Sequence, residues 1–542
     1  MTPRAERIAA LETTPFDVVV VGGGITGAAT ARDAASRGLR AALLERDDWA
    51  SGTSSRSSKL IHGGLRYLAS GQVHLVFESL AERNRLTALA PHLVEPAEFL
   101  FSAYRGRGVS PLLLKLGLTL YDFLALGRSA RHRTLSREAL LARERLLDSP
   151  DLLSGALYAD ARTDDARLTL ENVLDAAALG AVAVSRIEVR GLRKDSSGRI
   201  RGVAARDEES GRLFNVSALA VVNATGPWGD RLRGQDQPEA PPQLRLSRGA
   251  HITVTASRLP VKQPVASPSS DGRLLFAIPF GSVTLLGTTD RDFAGSPDDV
   301  AADREDVELL LKAANAVFPS ASLASSDIVA TFAGLRPLLA ETGKNVQDTS
   351  REDSVTISPS GLVTVSGGKL TTHRRMGERA MDRAAVVLRR HGREVTRSAT
   401  RTRPFPGAPE KPLPVFLSEF GRAAKVLGLD AEAARHLGLR YGRRAEEVLA
   451  LVAEERALGD RLSPGLPDIA AEIVFAARSE DARSIADLLA RRTHLFWQAS
   501  GQGAEALPRA AALAARELHW DKAGEKAAVE AYLSEVAKSR PF

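Results

Sequence analysis

The chain has 542 residues, 44% hydrophobic and 26% charged, which excludes a disordered or low-complexity protein and leaves room for two or three domains with their own cores. It contains no cysteine, so disulfides, thiolate catalysis, iron–sulfur ligation and cysteinyl attachment of a flavin are excluded. The formal net charge of +7 suits an anionic small molecule or lipid surface, and with widely spread arginines and no helix-turn-helix, zinc-finger or RNP pattern, nucleic acid is not expected.

The opening stretch to Phe16 has no apolar core of signal-peptide length, and no run of about 18 uncharged apolar residues occurs, so no transmembrane helix is expected. A cytoplasmic setting fits this and the missing cysteines. Val18 to Val21 is an apolar β-branched run, as a buried parallel strand requires. Gly22, Gly24 and Gly27 then make a G-x-G-x-x-G turn with Ile25 and Thr26 inside it, opening a helix whose Ala28, Ala31 and Ala35 share one face. A second strand, Leu39 to Leu44, closes on Glu45. Gly22 is expected to make the tight turn, Gly24 to let backbone approach a pyrophosphate, and Gly27 to let helix and strand pack closely. Glu45 is expected to accept from a ribose hydroxyl. Strand, turn, helix, strand and acid in that order read as a dinucleotide site.

A second polar, glycine-rich loop follows at Gly52 to Leu68, GTSSRSSKLIHGGLRYL. Residues 69–95 read as helix. Pro111 to Arg128 is the most apolar helix candidate, followed by Arg131, His132 and Arg133. It reads as a buried helix ending in a basic turn, or as one lying in a membrane interface with its basic flank on anionic headgroups. A helix is expected over Leu168 to Leu179, a β-meander over Arg190 to Val216, and a buried strand at Ala218 to Val222 leading into Asn223-Ala224-Thr225-Gly226-Pro227-Trp228. Candidate strands with a turn at Ser270-Asp271-Gly272 occupy 251–287. A helix from about Ala301 to Phe318 and the piece Gly334-Leu335-Arg336-Pro337-Leu338 follow. A strand pair at Val355 to Ser358 and Leu362 to Ser366 leads to Gly367-Gly368-Lys369-Leu370-Thr371-Thr372, which opens a helix through Arg389. That N-terminus would favour an anionic group of a bound ligand. Pro404 to Pro414 reads as a linker, and the rest as a helical bundle without visible chemistry. With no H-E-x-x-H and no close histidine pair, no metal site is expected.

The segment Ser57-Ser58-Lys59-Leu60-Ile61-His62-Gly63-Gly64-Leu65-Arg66-Tyr67-Leu68, with Ala224-Thr225-Gly226-Pro227-Trp228, Gly287-Thr288-Thr289-Asp290 and Gly334 to Leu338, resembles the aerobic FAD-dependent glycerol-3-phosphate dehydrogenase family over roughly residues 15–500. The resemblance implies an α/β fold: an FAD-binding Rossmann-like domain of the glutathione-reductase and amino-acid-oxidase type, an antiparallel-sheet substrate domain and a C-terminal helical domain. The expected division is FAD-binding parts at 1–95, 155–242 and 351–403, a helical part of the substrate or cap region at 96–154, a substrate-binding part at 243–350, and the helical domain at 404–542. It implies FAD contacts at Ser57, Ser58, Lys59, His62, Gly63, Val189, Thr225, Gly226, Gly368, Lys369, Leu370 and Thr371, besides the glycine turn and Glu45.

It further implies oxidation of sn-glycerol 3-phosphate to dihydroxyacetone phosphate, hydride passing from C2 to FAD and electrons onward to a membrane quinone. The protein is then peripheral on the inner face of the cell membrane, with a homodimer one oligomeric option. Arg66, Arg336, Arg351 and Lys369 are the candidate cations for the phosphate dianion, and Tyr67 a candidate hydrogen-bond donor. His251, with a pKa near neutrality, is the chosen base for the C2 hydroxyl, ahead of His62 and His373, and Arg336 is to stabilise the developing alkoxide. Where the family more often has Lys-Gly-Ser before this histidine, the chain has Arg248-Gly249-Ala250, which keeps the cation and loses a hydroxyl. The alternatives are an oxidase of the same fold that makes peroxide, an oxidase of an amino or hydroxy acid, and a non-catalytic flavin- or nucleotide-binding protein.

Overall fold

The computed structural model describes residues 1–69, 71–269, 272–340 and 352–541, apart from the side chains of Arg66 and Ala69. The first sheet grows from strand Phe16–Val21, buried along its whole length. It pairs in parallel with Leu213–Asn223 on one side and Ala41–Leu44 on the other. Leu362–Gly367 and Val182–Val184 extend the parallel order outward, and Asp353–Ile357 closes one edge antiparallel. Strands Ile187–Lys194 and Ile200–Asp207 form the expected meander with Leu213–Asn223. Helix Ile25–Ser36 follows the glycine turn and buries Ala28, Ala31 and Ala35 with residues of Asp165–Ala178 and His373–Arg389 in one core.

The second sheet is assembled from distant pieces: Leu60–Ile61, Glu95–Tyr104, Leu152–Arg162, Val265–Pro268, Leu274–Phe280, Val283–Gly287, Leu244–Thr255 and Ile328–Leu339 among them. Residues 96–154, expected as helical, therefore contribute strand Glu95–Tyr104 to this sheet. The helix at 69–95 shortens to Val73–Leu89. The C-terminal helices share a continuous core with one face of this sheet, where Phe332 and Leu285 meet Trp497 and Leu495. Pro404 to Pro414 is not a loose linker. Phe405 is buried under the Arg32 guanidinium at 4.0 Å, and the Gly407 amide donates to Glu171 at 2.9 Å.

The most apolar helix corrects the buried reading. Helix Pro111–Leu124 buries only Leu114, Leu118 and Tyr121, while Leu112 is 68% and Phe123 74% exposed, with Leu113 and Leu116 beside them. Lys115, Thr119 and Asp122 form a polar stripe at i, i+4 and i+7, so the helix packs through one side and leaves a further apolar strip uncovered at the rim of the domain.

Candidate active site

One cavity of about 970 Å³ runs between the two sheets. At one end is the glycine turn. Gly22 has φ +105°, and a Cβ there would lie 2.7 Å from the Ala224 carbonyl oxygen; a Cβ on Gly27 would lie 1.8 Å from the Gly22 carbonyl oxygen. Only glycine fits both positions. Gly22, Gly24, Ile25, Thr26 and Glu45 line the cavity, and Val189, Thr225 and Gly226 line it beside them. The Glu45 carboxylate accepts from the Gly23 amide at 2.5 Å and the Asp47 amide at 2.7 Å. Burial nevertheless pushes its carboxyl up to about 7.

That value gives a binding prediction. A ribose hydroxyl donating to Glu45 favours the ionised carboxylate, so FAD affinity of the apoprotein is expected to be flat above about pH 7. Below it, affinity should fall by up to about tenfold per pH unit. Fluorescence titration with FAD reads this directly, and E45Q should flatten the profile. An unchanged slope in E45Q would remove Glu45 from the ribose.

Midway, Ser57, Ser58 and His62 line the cavity together with Gly368, Lys369 and Leu370. Four expected cofactor contacts stand behind the wall instead. Gly27 is spent on helix–strand packing. Lys59 Nζ reaches Asp165 at 2.5 Å, and the same carboxylate accepts from the Ser57 hydroxyl at 2.6 Å. The Gly63 amide donates to the Tyr121 hydroxyl at 2.9 Å and to Asp160 at 3.1 Å. Thr371 Oγ1 accepts from the His62 amide at 3.0 Å and donates to its carbonyl at 3.1 Å. These four shape the wall, since their polar groups or tight contacts are engaged from behind.

At the other end, strands Leu244–Thr255 and Ile328–Leu339 pair antiparallel, with Ser247 opposite Arg336, Gly249 opposite Gly334 and His251 opposite Phe332. Strand alternation sends Gly249 and His251 toward the cavity and Ala250 and Ile252 into the core behind. Arg248 also faces away, bonded to Asp303 and 2.9 Å from Asp306, so the cation kept at that position is not a cavity cation. A Cβ on Gly249 would sit 2.3 Å from Arg336 Nη2, and one on Gly287 would sit 2.1 Å from His251 Cδ2. Two glycines thus make room for the two expected catalytic side chains.

Arg336 is held by Asp290 at 3.1 Å, Ser247 Oγ at 3.3 Å and Thr288 Oγ1 at 2.9 Å. His251 Nε2 lies 2.8 Å from Ser58 Oγ, and the ring stacks on Phe332 at 4.9 Å. Its pKa is not near neutrality as expected: burial, then the charges of Arg336 and Lys59, lower it to about 3. Tyr67 and Lys369 both line the cavity, the ammonium 3.8 Å from the ring centroid. Arg66 lies in helix Arg66–Ala69 with its side chain undescribed, and Arg351 lies outside the described residues, as do Ser270 and Asp271 of the expected turn. His373 is fully buried, 2.8 Å from the Leu370 carbonyl, and is not part of the cavity wall.

Sequence reasoning missed Ser54, whose Oγ accepts from the Ile25 amide at 2.8 Å at the helix N-terminus. It also missed Arg56, a cavity-lining cation with no carboxylate in ion-pair range among the described residues. Asp165 and Phe332 were missed as well, because each acts on a residue far away in the chain. Among the described residues one group of three possible metal ligands comes together, His436 with Asp468 and Glu472. Arg440 lies 3.8 Å from Asp468 and 3.4 Å from Asp164, so the group is part of a wider ion-pair network.

A family model described as FAD dependent oxidoreductase matches residues 17–383, and one described as the C-terminal domain of alpha-glycerophosphate oxidase matches 398–525. The chain is 36% identical to the aerobic glycerol-3-phosphate dehydrogenase of Staphylococcus saprophyticus, over 89% of this chain and 87% of that one. It is 37% identical to the enzyme of the same name from Bacillus subtilis, over 88% and 87%. The solved glycerol-3-phosphate dehydrogenase of Bacillus halodurans, in complex with FAD, superposes with a TM-score of 0.84 at 31% identity, covering 99% of this chain and 98% of that one.

Proposed function

The chain belongs to the FAD-dependent glycerol-3-phosphate dehydrogenase family, and from that premise we propose that it oxidises sn-glycerol 3-phosphate to dihydroxyacetone phosphate and passes the electrons to a membrane quinone. The observation that carries this reading is the meeting of His251 and Arg336 on one strand-pair face, in the same cavity as the glycine turn. FAD is the cofactor, and the cavity fits it: Gly22 admits backbone-close contact, Glu45 offers a carboxylate, and Lys369 stands midway along the wall. Bound there, the flavin supplies a two-electron acceptor for the hydride leaving C2.

The remaining work falls to side chains of this chain. His251 enters neutral, so one ring nitrogen is open to the C2 hydroxyl proton. The substrate's dianion opposes the charges of Arg336 and Lys59 and raises the basicity of His251 once it binds. Arg336, fixed by Asp290 and its neighbours, holds a preorganised cation against the charge that develops on the C2 oxygen. Arg66, Arg351, Lys369 and Tyr67 take the phosphate, on the family resemblance.

The exposed apolar side of helix Pro111–Leu124 supports docking on an anionic lipid surface, since exposed Lys115, Arg128 and Arg131 flank it. Among the described residues no helix is long and apolar enough to cross a membrane. Anaerobic addition of sn-glycerol 3-phosphate should bleach the bound flavin, and a quinone should re-oxidise it faster than oxygen. Faster re-oxidation by oxygen would make the protein an oxidase, and a flavin left oxidised would remove the substrate. The parent should sediment with vesicles containing an anionic lipid, and the double variant L112E/F123E should stay in the supernatant with its flavin chemistry intact. Equal sedimentation of both would move docking elsewhere.

A further inference from the structure

The His251 ring is held by few contacts for a catalytic base. Nε2 has Ser58 Oγ, while Nδ1 has no hydrogen-bond partner among the described residues. A ring held by one hydrogen bond can still turn about it, so its plane is decided by what lies against its faces. Gly287 closes in from one strand, and Phe332 stacks at 4.9 Å with the planes 15° apart. Phe332 is itself met edge-on by Trp497, centroids 5.0 Å apart at 67°. Trp497 belongs to the C-terminal helical domain, where its Nε1 donates to the Ala490 carbonyl at 2.8 Å and Phe496 packs against it at 4.5 Å. The same domain grips the strand one residue earlier, since the Thr331 amide and hydroxyl both donate to the Ser539 carbonyl, at 3.1 and 2.9 Å.

We infer that Trp497 is a positioning residue for the oxidation, setting the plane of the His251 imidazole through Phe332 and so making the C-terminal helical domain part of the catalytic apparatus. The inference rests on the reading of His251 as the base. The charged groups facing His251 are Arg336 on the paired strand, held by Asp290, and Lys59 in the flavin loop, held by Asp165. A change at Trp497 therefore acts on ring orientation and water access, without removing a charge.

Three variants, W497A, W497F and H251N, are compared as FAD-loaded full-length proteins by anaerobic flavin reduction from pH 5 to pH 9. W497A should lower kcat about tenfold to fiftyfold with KM changed less than about twofold, as a misaligned base does. Admitting water should also raise the His251 pKa, so an acid limb in kcat should move up toward about pH 6. W497F keeps an aromatic edge on Phe332 and should recover to within about threefold of the parent. Parental kcat and acid limb in W497A, or a lower kcat with an unmoved limb, overturns the inference while H251N still reports on the base. Parental kcat in H251N overturns the reading of the base and the inference with it. If W497A fails to hold flavin, W497F and W497L are judged by the same limb and the same kcat-against-KM split.

Discussion

Replacing Arg336 by methionine is expected to lower kcat/KM for sn-glycerol 3-phosphate by about 10³-fold, with bound flavin unchanged. Removing one preorganised donor aimed at developing charge costs about 10²- to 10³-fold, and loss of a charge-assisted contact to a dianion adds to it. The partners of Arg336 explain why the loss should be confined to chemistry. Asp290, Ser247 and Thr288 belong to the second sheet and its loops, away from the glycine turn. Lysine would restore the charge but not the fork that reaches Asp290 and Thr288 together, so R336K should recover only part of the activity. Anaerobic stopped-flow reduction of the flavin separates the step from re-oxidation. A loss smaller than tenfold in R336M would show that Arg336 is a structural strut for Asp290.

The asparagine variant of His251 is expected to lower kcat by about 10³-fold, within the range for loss of a general base, while KM and the flavin spectrum stay near those of the parent. Asparagine retains a polar group near Ser58 Oγ, which the imidazole approaches at 2.8 Å, but it cannot accept a hydroxyl proton at neutral pH. Gly287→Ala provides an independent check that keeps the histidine. Its Cβ would lie 2.1 Å from His251 Cδ2, so the ring must shift and kcat should fall with flavin retained. If H251N kept kcat within tenfold, the base would have to be sought at His62, because His373 is buried away from the cavity.

What the amino-acid order determined by itself is local. The β-branched run at Val18 to Val21, the glycines that tolerate φ +105° at Gly22 and a 1.8 Å approach at Gly27, and the closing Glu45 obey steric and period rules that act over a few residues. They locate the dinucleotide turn without any tertiary information. Arg336 and His251 were legible only through the wording of longer motifs, and the strand alternation that turns His251 inward and Arg248 outward was not legible at all. The direction of a strand's faces is set by the layer it packs on, and that layer comes from elsewhere in the chain. The same limit explains Lys59, Gly63 and Thr371, which sit in cavity-facing motifs yet bond Asp165, Tyr121 and His62 behind the wall. It also explains helix Pro111–Leu124. The stripe Lys115, Thr119 and Asp122 marks one polar side, but apolar residues fill the rest of the circumference, and only the packed neighbours decide that Leu118 is buried while Phe123 faces outward. The stack from Trp497 through Phe332 to His251 joins three sequence-distant segments, so tertiary structure alone could bring it together.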